Sequence, residues 1–120
     1  MAMSNEAKNP GEVTLCVSNA YQKKFYLNEN FSQLPQSIRE ELKIMCVLYT
    51  EDVGGILELV FDEDGTLEFK TSCEENDFLY DEIGSVLKIK QYQNEKRDLL
   101  EALEMFYKII YLGEGFDEED

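Results

Sequence analysis

Two short segments contain the residue types used in serine catalysis. Residues 85–88 read SVLK, which matches S-x-x-K, and residues 70–72 read KTS, which is close to K-T-G. Where these motifs build one active site, the serine motif comes first and an S-D-N element is also present. In this chain the order is reversed and S-D-N does not occur. We therefore interpret Ser85 as a small residue beside Gly84 in a helix, and we expect no catalytic residue.

An acidic segment resembles part of a calcium-binding loop. The EF-hand loop needs D-x-[DN]-x-[DN]-G with a glutamate six residues after the glycine. Here Gly65 follows Asp62 by three positions, and Thr71 occupies the glutamate position. The spacing instead favours a tight turn, in which Asp62 and Asp64 are turn formers and Gly65 adopts a left-handed conformation. We expect the protein to need no metal and no cofactor.

The overall composition excludes several classes of function. The chain has 26 acidic residues, 11 basic residues and no histidine, which gives a formal charge of -15. It therefore lacks the commonest general base and metal ligand. Binding to nucleic acid is not expected either, because that binding depends on lysine and arginine neutralising phosphates. The carboxylates are too numerous for one acid–base pair to stand out.

The cysteines and the hydropathy pattern indicate the cellular compartment in which the protein is found. Cys16, Cys46 and Cys73 are far apart, form no C-x-x-C motif and have no histidine to activate them. The chain shows neither the apolar centre of a signal peptide nor a run of 18 apolar residues, so we expect no membrane contact. These features predict a reducing, cytoplasmic location.

The elements that must position these residues form one domain. We predict a flexible N-terminal segment at residues 1–11, a single α+β domain at 12–113, and an acidic disordered tail at 114–120. The predicted fold is an antiparallel sheet of about five strands with helices packed on one face, in the order β-β-α-β-β-β-α.

Four segments show strand patterns. Val13–Ser18 and Lys24–Asn28 are rich in β-formers and predict a hairpin. The pattern of Ile56–Phe61 places Leu57, Leu59 and Phe61 on one face of a strand, and Leu67–Lys70 alternates as well. The acidic turn at residues 62–65 lies between the last two segments, and this second hairpin is the clearest local pattern in the chain.

The segment Ile44–Thr50 is open to two interpretations. A helix begins near Pro35, and six consecutive apolar residues later fit either its buried end or a buried strand. Two acids follow, which oppose a helix dipole at its C-terminus, and the turn formers Gly54 and Gly55 come next. On this basis we interpret Ile44–Thr50 as a third strand.

A helical pattern extends from Phe78 to Leu112, with Gly84 as the expected point of division. Residues 85–112 alone would span about 42 Å as one helix, longer than a compact domain of this size. An apolar stripe would then extend beyond the sheet and support self-association, unless all of it faces the sheet. The candidate interaction residues on this helix are Lys88, Lys90, Tyr92, Lys96, Arg97, Leu99, Leu103, Phe106 and Ile110.

The charges are unevenly distributed along the chain. Four of the eleven basic residues lie between positions 88 and 97, whereas residues 51–82 contain twelve acids and one lysine. Such a run is either a solvated helix face or a patch that pairs with an acidic surface of a partner.

Two segments carry a resemblance to a known group of proteins. Residues 34–65 (LPQSIREELKIMCVLYTEDVGGILELVFDEDG) and 80–114 (YDEIGSVLKIKQYQNEKRDLLEALEMFYKIIYLGE) resemble a small family of uncharacterised proteins from anaerobic Gram-positive bacteria. The resemblance covers about residues 13–114. It implies a bacterial cytoplasmic protein without an assigned activity, and it assigns no catalytic or binding residue.

Three hypotheses of function follow from the sequence. The first is a non-catalytic domain that acts through a protein partner or as a homo-oligomer. The second is a small-molecule-sensing domain with a ligand pocket between sheet and helices, which the fourteen aromatic residues could line. The third is an enzyme that uses carboxylates, for which a desolvated carboxylate pair in a cleft would be required.

Overall fold

A computed structural model describes residues 11–113. The predicted tail at 114–120 and all but Gly11 of the predicted N-terminal segment lie outside these residues. The elements are β1 (Val13–Asn19), β2 (Lys24–Leu27), a short 3-10 helical turn (Glu29–Phe31), α1 (Gln36–Val53), β3 (Ile56–Phe61), β4 (Leu67–Ser72), α2 (Glu82–Glu95) and α3 (Arg97–Ile110).

The four strands form one antiparallel sheet in the order β2-β1-β3-β4. Ser18 on β1 lies opposite Phe25 on β2 and Leu57 on β3, and Leu57 in turn lies opposite Thr71 on β4. The core lies between one face of this sheet and the three helices. The α+β class and the antiparallel sheet are confirmed, whereas the described residues contain four strands and not the predicted five.

The missing strand is Ile44–Thr50, which forms the second half of α1. The strand interpretation was wrong because the run has helical periodicity: Met45, Cys46 and Tyr49 are buried, whereas Ile44 and Leu48 are 58% and 51% exposed. Burying one large apolar side chain stabilises by about 1.5–3 kcal/mol. An unfavourable acid near an exposed helix end costs only about 0.3–1 kcal/mol, so packing outweighs the dipole.

Both glycine-containing turns have glycines with positive φ, as expected at Gly65. The Gly65 amide donates to the Asp62 carbonyl at 2.9 Å, and the Asp62 carboxylate accepts from the amides of Asp64 and Thr66. Gly65 has a φ of 86°, which makes this a type I turn followed by a left-handed residue. Gly55 also has positive φ, as does the preceding Gly54, and a side chain at Gly55 would collide with the β4 backbone.

The C-terminal helical region divides at a different residue from the one expected. Gly84 lies inside the first turn of α2, where its amide donates to the capping carboxylate of Asp81 at 2.8 Å. The division falls at Lys96, which has non-helical backbone angles between α2 and α3. Each helix has 14 residues and spans about 21 Å, so neither extends beyond the domain.

The apolar stripe of α3 packs on the sheet of its own chain. Leu99 and Leu103 are buried, and the Tyr107 ring stacks on Phe61 of β3 with a centroid distance of 4.3 Å. Phe31 extends this aromatic cluster through contacts with the Phe61 and Tyr107 rings. The overhanging stripe expected from one long helix is therefore absent, because the region divides into two short helices, of which α3 packs on the sheet and α2 packs on α1 and α3.

Replacement of Gly65 by valine tests the turn. We expect Gly65→Val to lower the free energy of unfolding by about 1–2 kcal/mol, because a β-branched residue resists positive φ. Gly65→Asn should cost less than half as much, since asparagine tolerates this conformation. Urea unfolding of both variants makes the comparison. Equal losses would show that crowding against Lys108, and not the backbone angle, determines the cost.

Candidate functional site

Ser85 belongs to a buried hydroxyl cluster between α1 and α2. Its side chain shares a short hydrogen bond with the Tyr49 hydroxyl and accepts a second one from the Tyr80 hydroxyl at 3.1 Å. The Lys88 ammonium lies 2.9 Å from the Asp52 carboxylate on α1. Serine and lysine of the S-x-x-K pattern thus each bind a residue outside the pattern, and both contacts join α2 to α1.

The environment of Tyr49 keeps this cluster uncharged. Burial raises the pKa of Tyr49 well above the ordinary tyrosine value, because the phenolate would be desolvated. The hydrogen bond from Ser85 lowers that pKa and the one shared with Tyr80 raises it, but burial is the largest cause. The cluster therefore supplies neutral hydroxyl groups that hold two helices together.

The acidic turn and the strand carboxylates do not assemble a metal centre. Between residues 11 and 113 no three acidic or cysteine side chains are arranged to hold a metal ion. On the sheet face opposite the helices, Lys70 lies 2.7 Å from Glu12, and Thr14 donates to Glu58 at 2.7 Å. The hydrogen bond to Glu12 raises the pKa of Lys70.

The three cysteines are free thiols. Cys16 and Cys46 are buried with their sulfur atoms 3.9 Å apart, and Cys73 is exposed. Burial raises the pKa of the Cys16 thiol, which disfavours the nucleophilic thiolate. Cys46 is a small residue of the core.

The candidate basic residues of α2 and α3 do not share one role, because they contact different partners. Lys88 and Lys96 bridge to carboxylates of α1, and Lys96 lies 3.4 Å from Glu41. Arg97 donates to Asn94 at 3.2 Å, and Lys90 is exposed.

The candidate apolar residues also divide into two groups. Tyr92, Leu99 and Leu103 are buried within the domain, Phe106 is half-buried, and Ile110 is exposed. The predicted set is thus not one surface, because most of its apolar members belong to the core.

A second apolar group, which lies within the segment predicted to be helical but outside the candidate interaction residues, is exposed. The 78–87 surface consists of Phe78, Leu79, Ile83, Val86 and Leu87, with exposures of 91%, 92%, 76%, 55% and 62%. Ile83, Val86 and Leu87 share one face of α2 by their i, i+3 and i+4 spacing. Ser85 and Tyr92 occupy the opposite, buried face. The helical spacing of apolar residues could not distinguish the exposed face of α2 from its buried face, since apolar residues occur on both.

A groove lies between the β1–β2 hairpin and α1. It has a volume of about 670 Å³ and includes Lys23 and Lys24 from the hairpin and Lys43 from α1. Ser18 and Thr50, whose hydroxyls share a hydrogen bond of 2.8 Å, also line it. We call this cavity the hairpin groove. No sequence motif marked it, because the two elements that form it are about twenty residues apart in the chain.

Residues 11–113 form an α+β domain with a four-stranded antiparallel sheet, on one face of which α1 and α3 pack, while α2 packs on these two helices. The chain belongs to DUF6145, a family of unknown function, which it matches over residues 12–115. No curated protein and no solved structure shows significant similarity to it. The expectation of an uncharacterised family is confirmed, and the bacterial source stays a prediction. None of the helices between residues 11 and 113 is long and apolar enough to cross a bilayer.

Removing the Ser85 hydroxyl tests the helix-joining role of the cluster. We expect Ser85→Ala to lower the free energy of unfolding by about 1–3 kcal/mol, because the Tyr49 hydroxyl loses a partner in a buried site. The double variant with Tyr49→Phe should lose less than the sum of the two single losses. Ser37→Ala, at an exposed position of α1, is the control and should change stability by under about 0.5 kcal/mol. Strict additivity in urea unfolding would contradict the contact.

The buried tyrosines predict a loss of stability in alkali. Burial raises the pKa of Tyr49, Tyr92 and Tyr107, so the unfolded chain loses these protons at lower pH than the folded protein. Their contribution is therefore complete below about pH 10 and declines as the pH rises further. Urea unfolding between about pH 8 and pH 11 should show this decline, and Tyr49→Phe should make it shallower. An unchanged decline in the Tyr49→Phe variant would refute the assignment.

Proposed function

We propose that this protein is a non-catalytic domain that acts through protein–protein contact, and that its 78–87 surface pairs with a second copy. The exposure of five large apolar side chains within ten residues carries this proposal. Soluble monomers rarely leave a contiguous apolar patch larger than a few hundred Å² in water. Covering even two of these side chains would contribute about 3–6 kcal/mol to association before its entropic cost.

The charges around the 78–87 surface support a second copy as the occupant. Five acids lie at or before the N-terminal end of α2, between Glu74 and Glu82, and basic residues lie toward its other end. A two-fold axis apposes the same patch of both copies. An antiparallel pairing of two α2 helices about Val86 would therefore bring the acidic end of each copy to the basic end of the other. In this arrangement Glu82 lies beside Lys90 of the second copy.

The net charge of -15 per chain does not prevent such pairing. At physiological ionic strength the Debye length is about 8 Å, so repulsion between distant charges is largely screened. Ion pairs formed directly at the interface are screened less, and their effect is mainly on orientation and specificity. Apolar burial supplies the affinity in this proposal, and the charges determine the antiparallel orientation.

Sedimentation equilibrium at micromolar concentration tests the pairing. We expect the unmodified protein to reach a monomer–dimer equilibrium and Leu87→Glu to be monomeric, because a carboxylate would be buried in the apolar interface. Met105→Glu is the matched control, since Met105 is an equally exposed apolar residue on α3, and it should leave the dissociation constant unchanged. A monomer at every concentration tested would refute self-association.

The orientation has a separate test in charge reversal. Glu82→Lys and Lys90→Glu should each weaken dimerisation by about two- to fivefold, because each places like charges together. The double variant should recover the unmodified dissociation constant. Additive weakening would contradict the antiparallel pairing about Val86, even if a dimer forms.

A further inference from the structure

We infer that the hairpin groove is a binding site for a small phosphate-bearing molecule. Its volume of about 670 Å³ lies within the usual range of ligand sites, about 300–1,000 Å³. Lys23, Lys24 and Lys43 converge on it from two elements of the fold, and Glu51 is its one acidic lining residue. This inference does not depend on the proposed self-association, because the 78–87 surface shares no residue with the groove.

The three groove lysines form no ion pair within residues 11–113, whereas three lysines elsewhere in the fold do. Within residues 11–113, none of them lies within 4.0 Å of a carboxylate oxygen, although the chain has more than twice as many acids as bases. Lys70, Lys88 and Lys96, by contrast, each form an ion pair with an acid from another element. A cavity lined by unpaired positive charges attracts anions and raises their local concentration, even on an acidic protein.

The backbone at Lys23 supports a role for its side chain. Lys23 has a φ of 56°, and among the described residues it is the one non-glycine residue with positive φ. Glycine adopts this conformation without strain, whereas an L-residue is disfavoured there. The turn is held in place by Asn19, whose side-chain oxygen accepts from the amides of Tyr21 and Gln22. Lysine at this strained position places an ammonium group at the groove, which glycine would not.

The chemistry of the lining favours phosphate as the anion. Lysine presents a compact charge with three donors, so several lysines can surround the tetrahedral oxygens of one phosphate group. Phe25 and Val47 provide an apolar wall for the rest of the ligand. A nucleoside diphosphate combines both features, while a long nucleic acid would be repelled by the surrounding acidic surface.

Isothermal titration of the full chain with ADP and with pyrophosphate, at constant ionic strength, tests the site. We expect both to bind with one site per chain, and Lys43→Gln to weaken binding by about tenfold or more, because a charge-assisted contact is lost. Lys108→Gln is the control, since Lys108 lies on α3, outside the groove and outside the α2 pairing, and forms no ion pair within residues 11–113. It should change the dissociation constant by less than about twofold.

Replacing Lys23 by glycine tests the site with a variant that should not destabilise the fold. Lys23→Gly relieves the backbone, so its Tm should equal or exceed that of the unmodified protein while ADP binding weakens several-fold. Absence of ADP and pyrophosphate binding at millimolar concentration would overturn the inference. Equal weakening by Lys108→Gln would also overturn it, as the attraction would then be non-specific. Succinate bound as tightly as pyrophosphate would exclude phosphate as the preferred anion.

Discussion

The packing of α1 against the sheet is the constraint on which the rest of the structure depends. Leu42, Met45 and Tyr49 of this helix are buried against the face formed by residues such as Leu57 and Leu59 of β3. A helix of 18 residues that buries one side on the sheet leaves two flanks for other contacts. α2 packs against one flank, and the hairpin groove lies along the other.

The flank that meets α2 uses polar contacts as well as apolar ones. Two ion pairs and the buried hydroxyl cluster at Ser85 join the helices, and burial keeps the Tyr49 hydroxyl protonated. Hydrogen bonds of this kind are directional, so they determine which face of α2 turns inward. Ile83 and Leu87 consequently face solvent, and the exposed 78–87 surface is a result of how α2 is anchored.

The opposite flank of α1 borders a positively charged groove, although the molecule has a net charge of -15. Lys43 of α1 and the two hairpin lysines are far apart in sequence but border the same groove. The two surfaces therefore differ in chemistry. One is apolar with acidic and basic ends, as expected for a protein contact, and the other is a small cationic cavity, as expected for an anionic ligand.

Local sequence signals predicted the parts of this protein that depend on local physics. The alternation of Ile56–Phe61 and the turn at Gly65 are properties of a few adjacent residues, and the composition excluded histidine chemistry. The segment Ile44–Thr50 was misread because a short apolar run fits strand and helix equally. Only packing on the sheet decides between them, since it buries Met45 and Tyr49 together.

The candidate sites could not be located from the sequence either, because they too depend on how elements pack in the tertiary structure. The helical pattern from Phe78 to Leu112 was visible, but its division at Lys96 and the burial of Leu99 depend on how α3 packs on the sheet and α2 packs on α1. Composition determined the excess of acids, yet it could not show which lysines would remain unpaired. That depends on distances between elements remote in the chain, which only the folded structure establishes.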